Sequence, residues 1–340
     1  MKLGIYLNAQ HPAGDDPARR LAETIEQARL IHALGFDSIW GGEHHATPGF
    51  HYFPLLPMLE RLAAEAPGLT LGTNLVLLPL HNPVELAEVG AFLDVLSGGR
   101  FMLGVGLGYR AEEFEIFGVP MAERVSRLTE GVEIIRRLWT EDKVTHRGRH
   151  WRFENVTIRP RSLQRPRPPI LVGSQVPSGI ARAARIADGW LVVPIPRVDE
   201  FAAQARAFSA ARAEAGRPAD AQICRLLEVV CAPDEEAAIR RAAPYLLDKY
   251  AAYFSWGLEG VSLGPGTRPE DQLRQLAAHR FAIGSPAQVT EMLVAQHRAG
   301  ATHLTMRVSW PGMPQADVLA GIELLGRRVL PEVRRRTGAA

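Results

Sequence analysis

Apolar and polar positions along the chain alternate between two rhythms. Short apolar runs, the mark of buried strands, are separated by longer stretches whose apolar residues recur at helical spacing. The short runs predict strands over 3–8, 38–43, 69–78, 101–108, 170–173, 190–194, 223–231 and 303–308. Helices are expected over about 17–34, 55–65, 83–97, 122–139, 179–187, 200–215, 234–250, 286–300 and 315–335. The run at 69–78 is nearly continuous in apolar residues, as in a strand covered on both faces. Asn82-Pro83 and Ser285-Pro286 each pair a capping side chain with a proline at the first helical position. Eight strands, most followed directly by a helix, define an α/β chain with a parallel sheet, and a closed (β/α)8 TIM barrel forming one domain over 1–340 fits best. An open doubly wound sheet would carry a glycine-rich phosphate-binding turn after its first strand, and residues 8–14 carry none.

Two stretches break the rhythm and read as insertions. Residues 140–169, after strand 4, are basic, aromatic and proline-rich, and suggest a hairpin over 146–158 followed by a rigid strut. Residues 251–284, after strand 7, are rich in glycine, proline and aromatic side chains and read as irregular.

Composition narrows the function classes. Hydrophobic residues make up 46% of the 340 positions, enough for a large core and far from a disordered composition. The 39 Lys and Arg nearly balance 37 Asp and Glu, which argues against nucleic acid as a partner. No run reaches the roughly 18 apolar residues of a membrane span, and the apolar start at 3–8 is too short for a signal peptide. The only cysteines, Cys224 and Cys231, lie within one expected strand and not at a zinc spacing, so a reducing cytoplasm is expected.

Chemistry concentrates at Gly35-Phe36-Asp37-Ser38-Ile39-Trp40-Gly41-Gly42-Glu43-His44-His45. Gly35 can take the left-handed conformation that stops a helix, and the three ionisable residues fall at the carboxyl end of a strand, where α/β enzymes place their sites. Alternation along a strand points His44 one way and Glu43 and His45 the other. An adjacent His-His pair does not share a face, which weakens a metal reading, and no metal is expected. Gly104, Gly106 and Gly108 have the wrong spacing for a dinucleotide turn. They clear one strand face either for a flat ligand or for tight packing. Ser174-Gln175-Val176-Pro177-Ser178-Gly179 joins strand 5 to a helix and suits a phosphate monoester at the helix start, or simply caps the helix through Ser178. The basic residues Arg159 to Arg167 read as a solvated strut, and His81, just after strand 3, either lines a pocket or caps the next helix.

Together these residues resemble the bacterial luciferase-like, flavin-dependent monooxygenase superfamily. The likeness rests on Gly35 to Trp40 leading into Glu43-His44-His45, and on Leu77-Leu78-Pro79-Leu80-His81-Asn82-Pro83 with Val84 to Glu88. It rests also on Ser97-Gly98-Gly99-Arg100-Phe101 running through Gly104-Val105-Gly106 to Glu113-Phe114-Glu115, and on Ala187-Asp188-Gly189-Trp190. The resemblance implies reduced FMN bound at the carboxyl ends of the strands, a separate flavin reductase supplying it, molecular oxygen, and a small organic substrate. It makes His44 the catalytic histidine and places Thr73, Asn74 and Leu75 against the isoalloxazine ring, with the Asn74–Leu75 peptide a candidate for the cis form. Gly106, Leu107 and Tyr109 match a wall of the flavin site, and Gly173, Ser174, Ser178 and Gly179 its phosphate end. Trp190 completes the cofactor set, while Tyr6, Gly42 and His81 are expected in the substrate pocket. Gly41-Gly42 replaces a bulkier pair and is expected to enlarge that pocket. Residues 251–280 fall where luciferases carry a mobile loop, and the family commonly forms homodimers through helices at about 55–65 and 84–96. Nothing marks long-chain aldehyde specificity, so luminescence is not expected. Two alternatives remain: a relative using the deazaflavin coenzyme F-420 for hydride transfer, against which Glu-His-His leans, and a flavin-binding protein without turnover.

Overall fold

The computed structural model describes residues 1–255 and 268–338. Eight strands, β1 (Lys2–Tyr6), β2 (Ser38–Gly41), β3 (Thr70–Thr73), β4 (Phe101–Val105), β5 (Ile170–Gly173), β6 (Gly189–Val192), β7 (Gln222–Cys231) and β8 (His303–Arg307), pair in parallel. Each neighbours its successor in sequence, and β8 returns to β1, so the sheet closes into a (β/α)8 TIM barrel. A short strand, Ala282–Gly284, continues alongside the far end of β7.

Among the described residues the α-helices are α1 (Pro17–Ala33), α2 (Leu55–Glu65), α3 (Pro83–Leu96), α4 (Ala111–Ile116), α5 (Arg124–Thr140), α6 (Pro177–Ile186), α7 (Val198–Glu214), α8 (Glu235–Ser255), α9 (Pro269–Ala277), α10 (Pro286–Arg298), α11 (Gln315–Leu324) and, after a π turn over Leu325–Val329, α12 (Leu330–Thr337). The expected caps form: Asn82 accepts from the Val84 amide at 2.9 Å, and Ser285 makes a capping box with Gln288. None of the helices described is long and apolar enough to cross a membrane.

Three expectations need correction. The apolar run at 69–78 is not one strand: β3 ends at Thr73, the Asn74–Leu75 peptide is cis, and the chain rejoins β4 only through the Val76 and Val105 bridge before a single turn over Leu78–Leu80. Val76, Leu77 and Leu78 are all buried, so the apolar run reports burial and not a ladder. Residues 251–284 are not wholly irregular, because α8 continues to Ser255 and α9 follows. Residues 256–267, part of the expected mobile loop, lie outside the described residues. The basic stretch after strand 4 is only partly solvated: Arg159 and Arg165 are exposed, but Arg161 and Arg167 are pinned. A hairpin of Val144–Arg147 with Arg152–Val156 precedes it, Arg161 donates to the Leu138 carbonyl at 2.9 Å, and Arg167 grips Asp188 at 2.6 and 2.9 Å.

Inside the barrel, Tyr6, Trp40, Met102, Leu171, Leu191 and Leu226 form a second apolar cluster beneath the mouth. The Trp40 indole is fully buried and donates to Ser38 Oγ at 2.8 Å. A Cβ on Gly72 would lie 2.2 Å from its ring, so only glycine lets this plug seat. Trp40 therefore closes the barrel below the carboxyl ends, and a site can form only above it.

Candidate active site

A cavity of about 340 Å³ opens above that plug, within the size range of small-molecule sites. Tyr6 and Arg307 end β1 and β8 and are register partners; Gly42 and His44 follow β2, Asn74 and Leu75 follow β3, and Leu107 and Tyr109 follow β4. Gly173 and Ser174 close one side, while Lys249, Tyr250 and Tyr253 reach in from α8. Tyr52 arrives from a short antiparallel pair, Gln10–Pro12 with Phe50–Tyr52, laid over the mouth.

The strand of the Glu-His-His run ends at Gly41, yet the expected parity persists beyond it. His44 enters the cavity among Tyr52, Tyr109 and Tyr253, with ring centroids 5.6, 5.7 and 6.4 Å away. Its Nδ1 lies 3.0 Å from Glu113 Oε1. The same oxygen accepts from the His45 amide at 2.8 Å and from Arg110 at 3.3 Å. Glu113 is fully buried, and burial works against its charge. The bond from His44 and the nearby cationic groups outweigh that and hold its carboxyl below the usual range. An ionised carboxylate only accepts, so Nδ1 carries the proton and the imidazole is held in one tautomer.

Glu43 and His45 turn to the other side. Glu43 Oε1 stands 2.8 Å from His81 Nε2 and 3.0 Å from His45 Nε2, and Oε2 accepts from the Leu77 amide at 2.6 Å. Burial opposes the Glu43 charge, but these bonds overcome it and pull its pKa down to about 2. His81 therefore does not line the barrel-mouth cavity as expected. With His45 it lines an adjoining cavity of about 550 Å³, which shares Glu43, His44 and Tyr52 with the first. The ligand atoms of Glu43, His45 and His81 lie within 4.8 Å of one another, a grouping the strand parity did not reveal because His81 comes from another loop.

The glycines have a different use from the one expected. A Cβ on Gly106 or Gly173 would sit 2.6 or 2.4 Å from Leu75 Cδ2, so both glycines admit the Leu75 side chain and not a ligand directly. Gly41 and Gly42 do not enlarge the pocket, since Leu55 fills the space at the first and the Tyr6 hydroxyl the space at the second. Thr73 is fully buried and exchanges hydrogen bonds with the Gly104 backbone at 2.8 and 2.7 Å, behind the cavity wall. Trp190 is likewise buried, where its indole donates to the Ser174 carbonyl at 2.8 Å and holds the loop after β5. Ser178 is exposed and caps nothing; the N-cap of α6 is Val176, with no side-chain cap, which leaves that helix end open. Neither Ser178 nor Gly179 reaches the cavity, but Ser174, Gln175, Val176 and Arg124 do.

Sequence reasoning missed Glu113, Arg124, Glu228, Lys249 and Arg307. Glu228 and Arg307 carried a signal, each being a charged residue inside an apolar strand, and both are buried.

These features define a (β/α)8 barrel whose cavity sits at the carboxyl ends of its strands with an oriented histidine inside, the arrangement of a barrel enzyme. Residues 1–303 match the family described as luciferase-like monooxygenase, and the chain belongs to that family. It is similar to the oxygenase component of flavin-dependent trigonelline monooxygenase from Acinetobacter baylyi, at 25% identity covering 97% of this chain and 95% of the relative. It is also similar to coenzyme F-420-dependent glucose-6-phosphate dehydrogenase from Microbacterium testaceum, at 29% identity over 92% and 94% of the two chains. Among solved structures, monooxygenase RslO1 from Streptomyces bottropensis superposes with a TM-score of 0.87 at 27% identity, covering 97% of this chain and 99% of that one.

Proposed function

We propose that this protein is a monooxygenase that takes reduced FMN from a separate reductase and uses molecular oxygen to oxidise a small organic molecule, acting in the cytoplasm. The observation that carries this reading is His44, oriented by its Nδ1 bond to Glu113 in a cavity that Ser174, Arg124 and Val176 at the uncapped start of α6 also line.

The chain's own groups fit FMN. The open N-terminus of α6, Ser174 and the Arg124 cation supply donors and positive charge for a phosphate. Leu75 and Leu107 offer an apolar wall for the flat ring system. Bound reduced FMN would supply the electrons that activate oxygen. His44 Nε2 would accept a proton, or return it, at the reacting edge, while Glu113 keeps the ring in one tautomer and supports its cationic form. Tyr52, Tyr109 and Tyr253 pack their rings around the histidine and limit its contact with solvent. The likeness to a named oxygenase component supports a partner reductase. We also propose a homodimer formed through α2 and α3, supported by Phe92 and Leu96, which leave apolar side chains exposed on α3.

A second reading, hydride transfer with coenzyme F-420, has the support of the similar dehydrogenase. Titrating the protein with FMN, reduced FMN and F-420, followed by absorbance, separates the two. Tight uptake of reduced FMN with oxygen consumption is expected. Preferential F-420 binding without oxygen use would replace the first reading by the second.

A further inference from the structure

Building on the flavin reading, we infer that the side of the cavity formed by β7, β8 and α8 binds the carboxylate of a small, largely apolar anionic substrate, with Arg307 as its anchor.

Position comes first. The phosphate-type features lie on β5 and α6, and the apolar wall lies on the loops after β3 and β4. Arg307 and Lys249 lie across the mouth, on β8 and α8, where they line the same cavity. A flavin laid over Leu75 and Leu107 with its phosphate at Ser174 leaves that far side for a second molecule.

Charge comes next. Arg307 is buried, as is Lys249, and one fully buried carboxylate, Glu228, serves both. Glu228 Oε1 takes Lys249 Nζ, Arg307 Nη1 at 3.0 Å and the Tyr250 hydroxyl at 3.2 Å, while Oε2 takes the Trp310 indole at 2.9 Å. That carboxylate is saturated. Among the described residues, no acceptor meets Arg307 Nε or Nη2, and neither atom is sealed away from the cavity. A buried cation is costly unless paired and hydrogen-bonded, so two cations on one carboxylate leave a deficit of one negative charge. Burial and the Arg307 charge push the Lys249 ammonium down to about 7 in spite of Glu228, which fits the same deficit.

Shape then selects the class of anion. The Tyr6 ring lies under the guanidinium at 4.3 Å and fixes its plane, so the free edge presents two donors side by side. That fork matches a planar carboxylate through paired hydrogen bonds. The surrounding wall, with Tyr52, Tyr253 and Leu226, suits an aromatic or apolar body, and it brings that body beside His44.

The test uses benzoate and its neutral isostere benzamide on FMN-saturated protein, where the phosphate end is filled, with binding read as perturbation of the flavin spectrum. Benzoate should bind at least about tenfold more tightly than benzamide, as the gain of one charge-assisted pair predicts. Arg307→Met should reduce that preference to about twofold or less, and Lys249→Met should reduce it partially, since the ammonium contributes field and not the fork. Equal or absent responses to the two ligands in the wild type, which need no variant, would overturn the inference. A preference that survives intact in Arg307→Met would also overturn it, as would a loss of reduced-FMN affinity in that variant with no carboxylate preference in the wild type. If the protein takes up no FMN, the flavin reading fails. Calorimetry of the same two ligands on the cofactor-free protein then decides the anchor by itself, a benzoate preference abolished in Arg307→Met supporting it and none overturning it.

Discussion

A histidine gains a defined role when one of its nitrogens is committed, and Glu113 commits Nδ1 of His44. Position alone would not do this, because a free imidazole exchanges tautomers and leaves neither nitrogen reserved. His45, one residue on, has the opposite fate, with Nε2 against Glu43 and its ring packed on Phe117 at 4.6 Å. The two variants should therefore separate. His44→Ala is expected to fold and to bind reduced FMN, yet to lose single-turnover product yield by about 10²- to 10⁴-fold. Glu113→Gln keeps a group that can accept from Nδ1 but removes the charge, so a smaller loss with the same FMN affinity is expected. His45→Ala should cost about 1 kcal/mol of stability and little turnover. Full turnover in His44→Ala beside a dead His45→Ala would reverse the assignment.

At the scale of elements, the loop from β5 into α6 shows how the residues expected at a phosphate end are distributed once the chain folds. Ser178 looked like the cap or the contact because it stands at the helix start. In the structure the loop turns earlier, Ser174 faces the cavity, and Gly179 packs on Ser174, a Cβ there falling 1.9 Å from Oγ. Ser174→Asp should therefore weaken FMN binding by roughly 10- to 100-fold through like-charge repulsion, whereas Ser178→Asp, exposed, should change it less than about threefold. Flavin fluorescence quenching measures both, and the reverse order would move the phosphate towards Ser178. The same limits recur elsewhere. Strand and helix order was legible because periodicity reports burial, and the parity of Glu43, His44 and His45 survived even though the strand stops at Gly41. Periodicity could not tell a ladder from the buried turn over Leu78–Leu80. Nor could it join Glu113 to His44, or Lys249 to Glu228, because such pairs form only when the barrel closes.

For the whole molecule, the buried titratable groups tie stability to pH from both ends of the barrel. His11 sits in the short strand over the mouth, and burial, with a smaller push from Arg20, lowers its pKa from 6.5 to about 4. His303 opens β8 at the opposite end, and burial lowers it likewise to about 4. Each imidazole binds a proton more readily once the chain unfolds, so stability is lost as pH falls from about 6.5 towards 4, by about 3 kcal/mol per group. His81 works in the opposite direction. Burial disfavours its charge, but Glu43 prevails and raises its pKa, so its contribution is fully present below 6.5 and fades as pH rises through the raised value. Two groups lowered against one raised leave a net loss on acidification. A second loss follows below about 4.5, where Glu43, depressed to about 2, begins to be protonated in the unfolded chain before it is in the folded one. The melting temperature should therefore decline between pH 6.5 and 4 and fall further below. His11→Gln cannot titrate, so it should make the decline between pH 6.5 and 4 shallower while leaving the lower stage in place. Scanning calorimetry of both proteins from pH 8 to pH 3 checks this, and parallel curves would show that His11 is not protonated on unfolding.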